Sequence, residues 1–254
     1  MNTTLQPRRL VIEILVAFQF LTRIPMPFNK IETGLLSRAI KFFPLVGLVI
    51  GSGAALLQKL LIPHLSRPLA AFLVLVYLVL ITGCFHEDGL ADTADGFGGG
   101  WTRDQILTIL KDSRIGSYGA TTLVLSLLAR YLLLASLPTE HFAAYVISAH
   151  VLSRWSALPL SYFLLPTSDQ NGQGARIAGL TSLSSLIFGS AFSFAIVIFA
   201  LRWLAITPLL ITTLTIILTG WFYFRKISGI TGDCFGATNQ LTEIAVYFCG
   251  AWIA

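Results

Sequence analysis

Residues 68–85 read PLAAFLVLVYLVLITGCF, eighteen residues without a charge, and residues 86–96 follow at once as HEDGLADTADG. An uncharged apolar run of that length crosses a bilayer as a helix, because only there are all its backbone groups satisfied internally. The junction with HEDGLADTADG then sets a dense group of carboxylates at the membrane surface. Six of the twelve acidic residues, Glu87, Asp88, Asp92, Asp95, Asp104 and Asp112, fall between positions 86 and 112. Asp88, Asp92 and Asp95 are spaced i, i+4, i+7, which puts three carboxylates on one face of a helix. Like charges on adjacent turns repel, so the spacing calls for a counter-ion. Ligands that are all oxygen favour Mg²⁺ or Mn²⁺ over zinc. On this pattern Asp88, Asp92 and Asp95 are the candidate metal ligands.

The rest of the chain agrees with a membrane fold. Hydrophobic residues make up 55% and charged residues 11% of 254 residues, against about 25% charged in a soluble domain. Mean hydropathy is +0.78. Apolar runs at 42–62, 68–85, 118–137, 142–165, 183–202 and 203–224, with a shorter one at 241–254, predict an all-α, polytopic integral membrane helical bundle of six to seven transmembrane helices. One domain, 1–254, accounts for the length. Residues 8–22 are interrupted by Glu13 and Gln19, are followed by no small-residue cleavage site and end at Arg23-Ile24-Pro25, so an interfacial amphipathic helix is expected there in place of a secretory signal.

Loop charges set the orientation. One side receives Arg8, Arg9, Arg23, Lys30, Arg38, Lys41, Arg103, Lys111, Arg114, Arg176, Arg225 and Lys226, and the other Lys59, Arg67 and Arg202. That bias places the N terminus, the loop 86–117 and the loop 225–240 on the cytoplasmic side of the membrane. The net charge of +5 follows from this topology and from anionic lipid, without nucleic acid as a partner. Cys84, Cys234 and Cys249 have no paired spacing, so neither a disulfide nor a zinc site is expected.

Glycines flank the carboxylates, and Lys111-Asp112-Ser113-Arg114-Ile115-Gly116 follows. Lys111 and Arg114, three residues apart, suit one phosphate, the Arg as a planar fork and the Lys as a point charge. Carboxylates for a metal, then cations for phosphate, then glycines form a set for phosphoryl transfer. The loop at 228–243 adds Asp233 and Glu243 with glycines and hydroxyls, as a further metal ligand or a contact to a substrate sugar. Arg130 and Arg154 fall inside predicted spans, where a cation is costly unless paired, and each is expected at its own depth. Arg154, with His150 one turn before it, is a candidate for lining a polar cavity that receives phosphates or substrate side chains, and Pro159 for kinking that helix. The bland readings are that His86 is a polar ring at headgroup level, that Glu87 is solvated, that Lys111 and Arg114 are membrane anchors, and that Asp112 only pairs with one of them.

With these motifs the chain resembles the cobalamin synthase family, the adenosylcobinamide-GDP ribazoletransferases. The matching residues are Phe20-Leu21-Thr22-Arg23-Ile24-Pro25, Phe43-Pro44-Leu45-Val46-Gly47, His86 with Asp88-Gly89-Leu90-Ala91-Asp92-Thr93-Ala94-Asp95-Gly96, Lys111 to Gly116, and Thr231-Gly232-Asp233 with Gly236-Ala237. The resemblance covers nearly the whole chain. It implies attack by a hydroxyl of α-ribazole, or of its 5′-phosphate, on the cobinamide-side phosphorus of adenosylcobinamide-GDP, with release of GMP and assistance from Mg²⁺. On that reading Asp88 and Asp92 hold Mg²⁺, Asp95 is a third ligand or the general base, and Lys111 and Arg114 hold the pyrophosphate. Asp112, His86 and Asp233 are then candidates for a second metal, its surroundings or the substrate sugar. Two other classes stay open: a CDP-alcohol-type phospholipid phosphotransferase, and a cation-coupled transporter with Arg154 as its substrate counter-charge.

Overall fold

The computed structural model describes residues 6–27, 33–167, 178–179 and 181–253. Lys30 and Arg176, counted above by topology, lie outside them, as does the side chain of Arg8. Among the described residues the chain is helical, with one isolated parallel bridge, Pro166 to Ile230, and no strand. The helices are α1 (Gln6–Leu21), α2 (Thr33–Ala39), α3 (Phe43–Leu61), α4 (Arg67–Thr82), α5 (Phe85–Gly99), α6 (Arg103–Ile109), α7 (Ser117–Ser136), α8 (Phe142–Trp155), α9 (Ala157–Phe163), α10 (Leu183–Leu201), α11 (Ile206–Ile227) and α12 (Gly232–Trp252).

Helix starts and stops follow local chemistry. Pro44 and Pro68 sit in the first turns of α3 and α4, where a missing N–H leaves nothing unsatisfied. Thr102 and Gln105 form a reciprocal capping box on α6, and the Thr231 hydroxyl caps α12. Gly83 (φ 65°) and Cys84 (φ 61°) are both left-handed. That pair ends α4 and turns the chain by 86° into α5. The acidic segment therefore leaves α4 sharply as a helix of its own.

Among the described residues three helical runs are long and apolar enough to cross a membrane, Gly34–Leu61, Ser117–Ser136 and Leu183–Ile227, and α4 with α5 qualifies only as a bent pair. The segment expected at 142–165 as one span is divided at Ser156 into α8 and α9. Pro159 causes it, since its ring clashes with the carbonyl four residues earlier, at Trp155. The loops expected at 86–117 and 225–240 are also largely helical, holding α5 and α6 in one case and the first turns of α12 in the other. Arg202, with φ 54°, interrupts Leu183–Ile227 and opens the 3₁₀ turn Arg202–Ala205 ahead of α11.

Helices α8 and α12 form the centre, with α8 packed on α3, α10 and α12, and α12 packed on α5, α7, α8 and α11. Tyr145, Val146, Ala149, Leu152, Val246 and Tyr247 are completely or almost completely buried there. α10 and α11 turn Phe188, Phe199, Leu210, Ile217 and Trp221 outward, an apolar exterior suited to lipid. α1 exists as expected, but Glu13, read as an interruption of its apolar face, is only 2% exposed and meets Lys41 at 2.9 Å and Arg9 and Arg38 at 3.5 Å. Three of the cations on the positive side thus converge on one carboxylate.

Candidate active site

Helix α5 distributes its polar residues over three directions, about 100° of rotation separating each residue from the next. Asp88, Asp92 and Asp95 share one of them. Asp88 is exposed, Asp92 partly buried and Asp95 buried. On another side Gly89 lies against α12, where an added Cβ would come within 2.9 Å of the Asp233 carbonyl and 3.3 Å of the Gly236 Cα. Only glycine permits that approach. The contact carries Asp233, on the first turn of α12, to the aspartate face.

The charges register each other. Burial pushes the Asp92 carboxyl up to about 7, helped by Asp88, Asp233 and Asp95. Burial likewise raises Asp233 to about 6, against the hydrogen bond from Thr231 and with Asp88 adding to the rise. Among the described residues no three His, Cys, Asp or Glu side chains are gathered closely enough to form a ready-made metal cage. The donor set still fits a hard divalent cation: it is all oxygen, partly open, and burdened with like charge that such an ion relieves.

Asp95 is placed differently from its neighbours. One carboxylate oxygen accepts the N–H of Gly116 at 2.7 Å and the other that of Gly119 at 2.8 Å. The carboxylate therefore caps the start of α7, where free amides and the helix dipole favour an anion. A Cβ at Gly116 or at Gly119 would clash with it. This explains the glycine spacing after Lys111-Asp112-Ser113-Arg114: the motif is the segment that Asp95 clasps.

Of the expected phosphate-binding residues, Arg114 is exposed and forks onto Asp112, with contacts of 2.6 to 3.1 Å. That pairing holds the Asp112 carboxyl down to about 2. Both residues, with Asp95, Gly116 and Tyr118, border an open cavity of about 330 Å³. Lys111 is exposed beside this loop.

His86 faces the opposite way from Asp88. It is 4% exposed and lines a small cavity with Arg154 and Asn239. The structure thus separates it from the aspartates with which the sequence groups it. Glu87, expected to be solvated, is also 4% exposed and meets Arg130 of α7 at 2.6 Å. Arg130 in turn meets Glu243 at 2.9 Å, and Glu243 lies 3.5 Å from Arg154. Tyr247 donates its hydroxyl to Glu243, and Gln240 donates to Glu87. The two span arginines, expected at separate depths, share one carboxylate. Glu243, expected to touch substrate, is fully enclosed in this network. The network joins α5, α7, α8 and α12 and is neutral in sum, two arginines against two glutamates. Sequence reasoning missed Glu87, Gln240, Asn239 and Tyr247. The available signal was that four charges inside an apolar bundle must pair with one another.

A family model described as cobalamin-5-phosphate synthase matches residues 13–251. Among similar proteins are adenosylcobinamide-GDP ribazoletransferases of Shewanella frigidimarina (41% identical, 91% of each chain), Shewanella piezotolerans (38%, 92% of each) and Mesorhizobium japonicum (39%, 96% of this chain and 95% of that one). No solved structure matches the chain.

Proposed function

Since the chain belongs to the cobalamin-5-phosphate synthase family and is a transferase of late cobalamin synthesis, we propose that it joins α-ribazole, or α-ribazole 5′-phosphate, to adenosylcobinamide-GDP with the aid of Mg²⁺. The products are adenosylcobalamin, or its 5′-phosphate, and GMP. A ribazole hydroxyl oxygen bonds to the cobinamide-side phosphorus, the bond from that phosphorus to the bridging oxygen of GMP breaks, and the hydroxyl proton leaves to a carboxylate. The observation that carries this reading is the aspartate face of α5 set against Asp233, with the Asp92 carboxyl raised to about 7.

Asp88 and Asp92 are the residues that would hold Mg²⁺, which when bound neutralises diphosphate charge and withdraws electrons from phosphorus. Asp233, pushed up to about 6, is suited to take the hydroxyl proton. Arg114 and Lys111 attract the diphosphate, with Arg114 released from Asp112 as it forks onto phosphate. Asp95 positions that segment through its two amide bonds and supplies no step of its own.

Six to seven spans with the site facing the cytoplasm of a bacterial inner membrane complete the proposal. Leu183–Ile227 supports this count, because 45 residues would measure about 68 Å if straight, at 1.5 Å per residue. That is more than twice the roughly 30 Å of hydrocarbon, so Arg202 would divide two spans. The buried arginines are matched by glutamates, which leaves the transporter reading no free counter-charge.

Release of GMP by protein in nanodiscs, given adenosylcobinamide-GDP and α-ribazole, should require Mg²⁺ and stop with EDTA. Asp88→Asn and Asp92→Asn should each lower turnover by about 10³-fold or more, a loss of roughly 4 kcal/mol of transition-state stabilisation. Undiminished release in EDTA would refute the metal-dependent mechanism.

A further inference from the structure

A small cavity lies on the side of α5 away from the aspartates, where α1, α3, α5, α8 and α12 meet. Phe20, Phe43 and Phe235 wall it, and Phe85, 40% exposed, stands at its rim. Four polar side chains line it, His86, Ser153, Arg154 and Asn239, all at least 96% buried. The Ser153 hydroxyl is already bonded, to the His150 carbonyl and to Arg154, but the other three each carry a buried atom without a partner: Nδ1 of His86, Nε of Arg154 and Oδ1 of Asn239. The other bonds of Arg154 go from Nη1 to His150 at 2.6 Å, Ser153 at 2.9 Å and Glu243 at 3.5 Å, so Nε–H is left facing no acceptor. Three such orphans around one void are costly unless something fills it.

The geometry points to a subsite for a neutral primary carboxamide on the arm of a large substrate. Arg154 Nε–H can only donate, and a carboxamide oxygen accepts from it. Asn239 Oδ1 accepts, and His86 Nδ1 accepts in one tautomer, so two N–H groups of the same carboxamide find partners. The volume, about 30 Å³, has room for about two waters, comparable to one –CONH₂ group. The phenylalanine walls suit the aliphatic arm that carries it. A carboxylate fits less well, because the Glu87, Arg130, Glu243 and Arg154 set is already neutral and one more buried anion would be uncompensated.

The inference rests on the reading of the substrate above, since cobinamide presents its amides around the corrin ring. It assigns Arg154, His86 and Asn239 to anchoring that ring while the diphosphate reaches the aspartate face.

Steady-state turnover of the full-length protein in nanodiscs tests this with two donors, adenosylcobinamide-GDP and the same compound with peripheral amides hydrolysed singly to carboxylic acids. One acid isomer should show a KM at least about tenfold higher than the amide, with kcat within about twofold. Asn239→Leu should raise KM for the amide donor by a similar factor and reduce the preference for amide over that acid. All acid isomers matching the amide in KM would overturn the proposal and leave the cavity to water alone. This first comparison needs no variant, so it stands even if Asn239→Leu misfolds. Absence of any GMP release by the wild type would refute the substrate reading, and the anchoring role with it. Normal release with no discrimination would refute the subsite alone.

Discussion

With its carboxyl pushed up to about 7 by burial and by Asp88, Asp233 and Asp95, Asp92 holds a proton in the folded chain that it gives up on unfolding, where the ordinary value is 3.8. The folded state thus gains nothing from ionised Asp92, and stability falls as pH rises from about 4 to 7, the full cost being present above 7. In EDTA the wild-type melting temperature should decrease between pH 5 and pH 8, measured in nanodiscs. Asp92→Asn should decrease less and melt higher at pH 8 while losing Mg²⁺-dependent turnover. Equal slopes for wild type and variant would show that the charge is relieved in some other way.

The clasp between α5 and α7 depends on Gly116 and Gly119, because Asp95 reaches the amides only where no Cβ intervenes. Gly119→Ala should destabilise the protein by about 1–3 kcal/mol through overpacking and a lost cap. It should also raise KM for the nucleotide donor, since the segment bearing Lys111 and Arg114 is no longer held. A thermal melt and a KM for adenosylcobinamide-GDP both unchanged would contradict the clasp. The apolar runs marked most helices, and the i, i+4, i+7 spacing placed Asp88, Asp92 and Asp95 on one side of α5. What the pattern concealed were contacts between distant positions. Glu87 looked solvated because its partner, Arg130, lies 43 residues away, and the clasp by Asp95 was hidden because the amides it accepts carry no side-chain signature. The kink expected at Pro159 falls three residues before it, at Ser156, because the proline obstructs the preceding turn.

Across the molecule, the network of Glu87, Arg130, Glu243 and Arg154 ties four helices together at 3.5 Å or closer. Removing one member leaves an unmatched charge in the interior, so Glu243→Ala should cost about 3–5 kcal/mol. A fall in melting temperature of a few degrees only would show that water enters and screens the site. The same network bears on how the chain enters its bilayer. α7 finds a partner for Arg130 already made, Glu87 of α5, but α8 emerges from the ribosome carrying Arg154 well before α12 delivers Glu243, and an arginine alone adds about 2.5–3.5 kcal/mol to the work of insertion. That segment must therefore linger beside the insertion machinery, or ride shallow in the interface, until the last helix arrives and allows both to settle together.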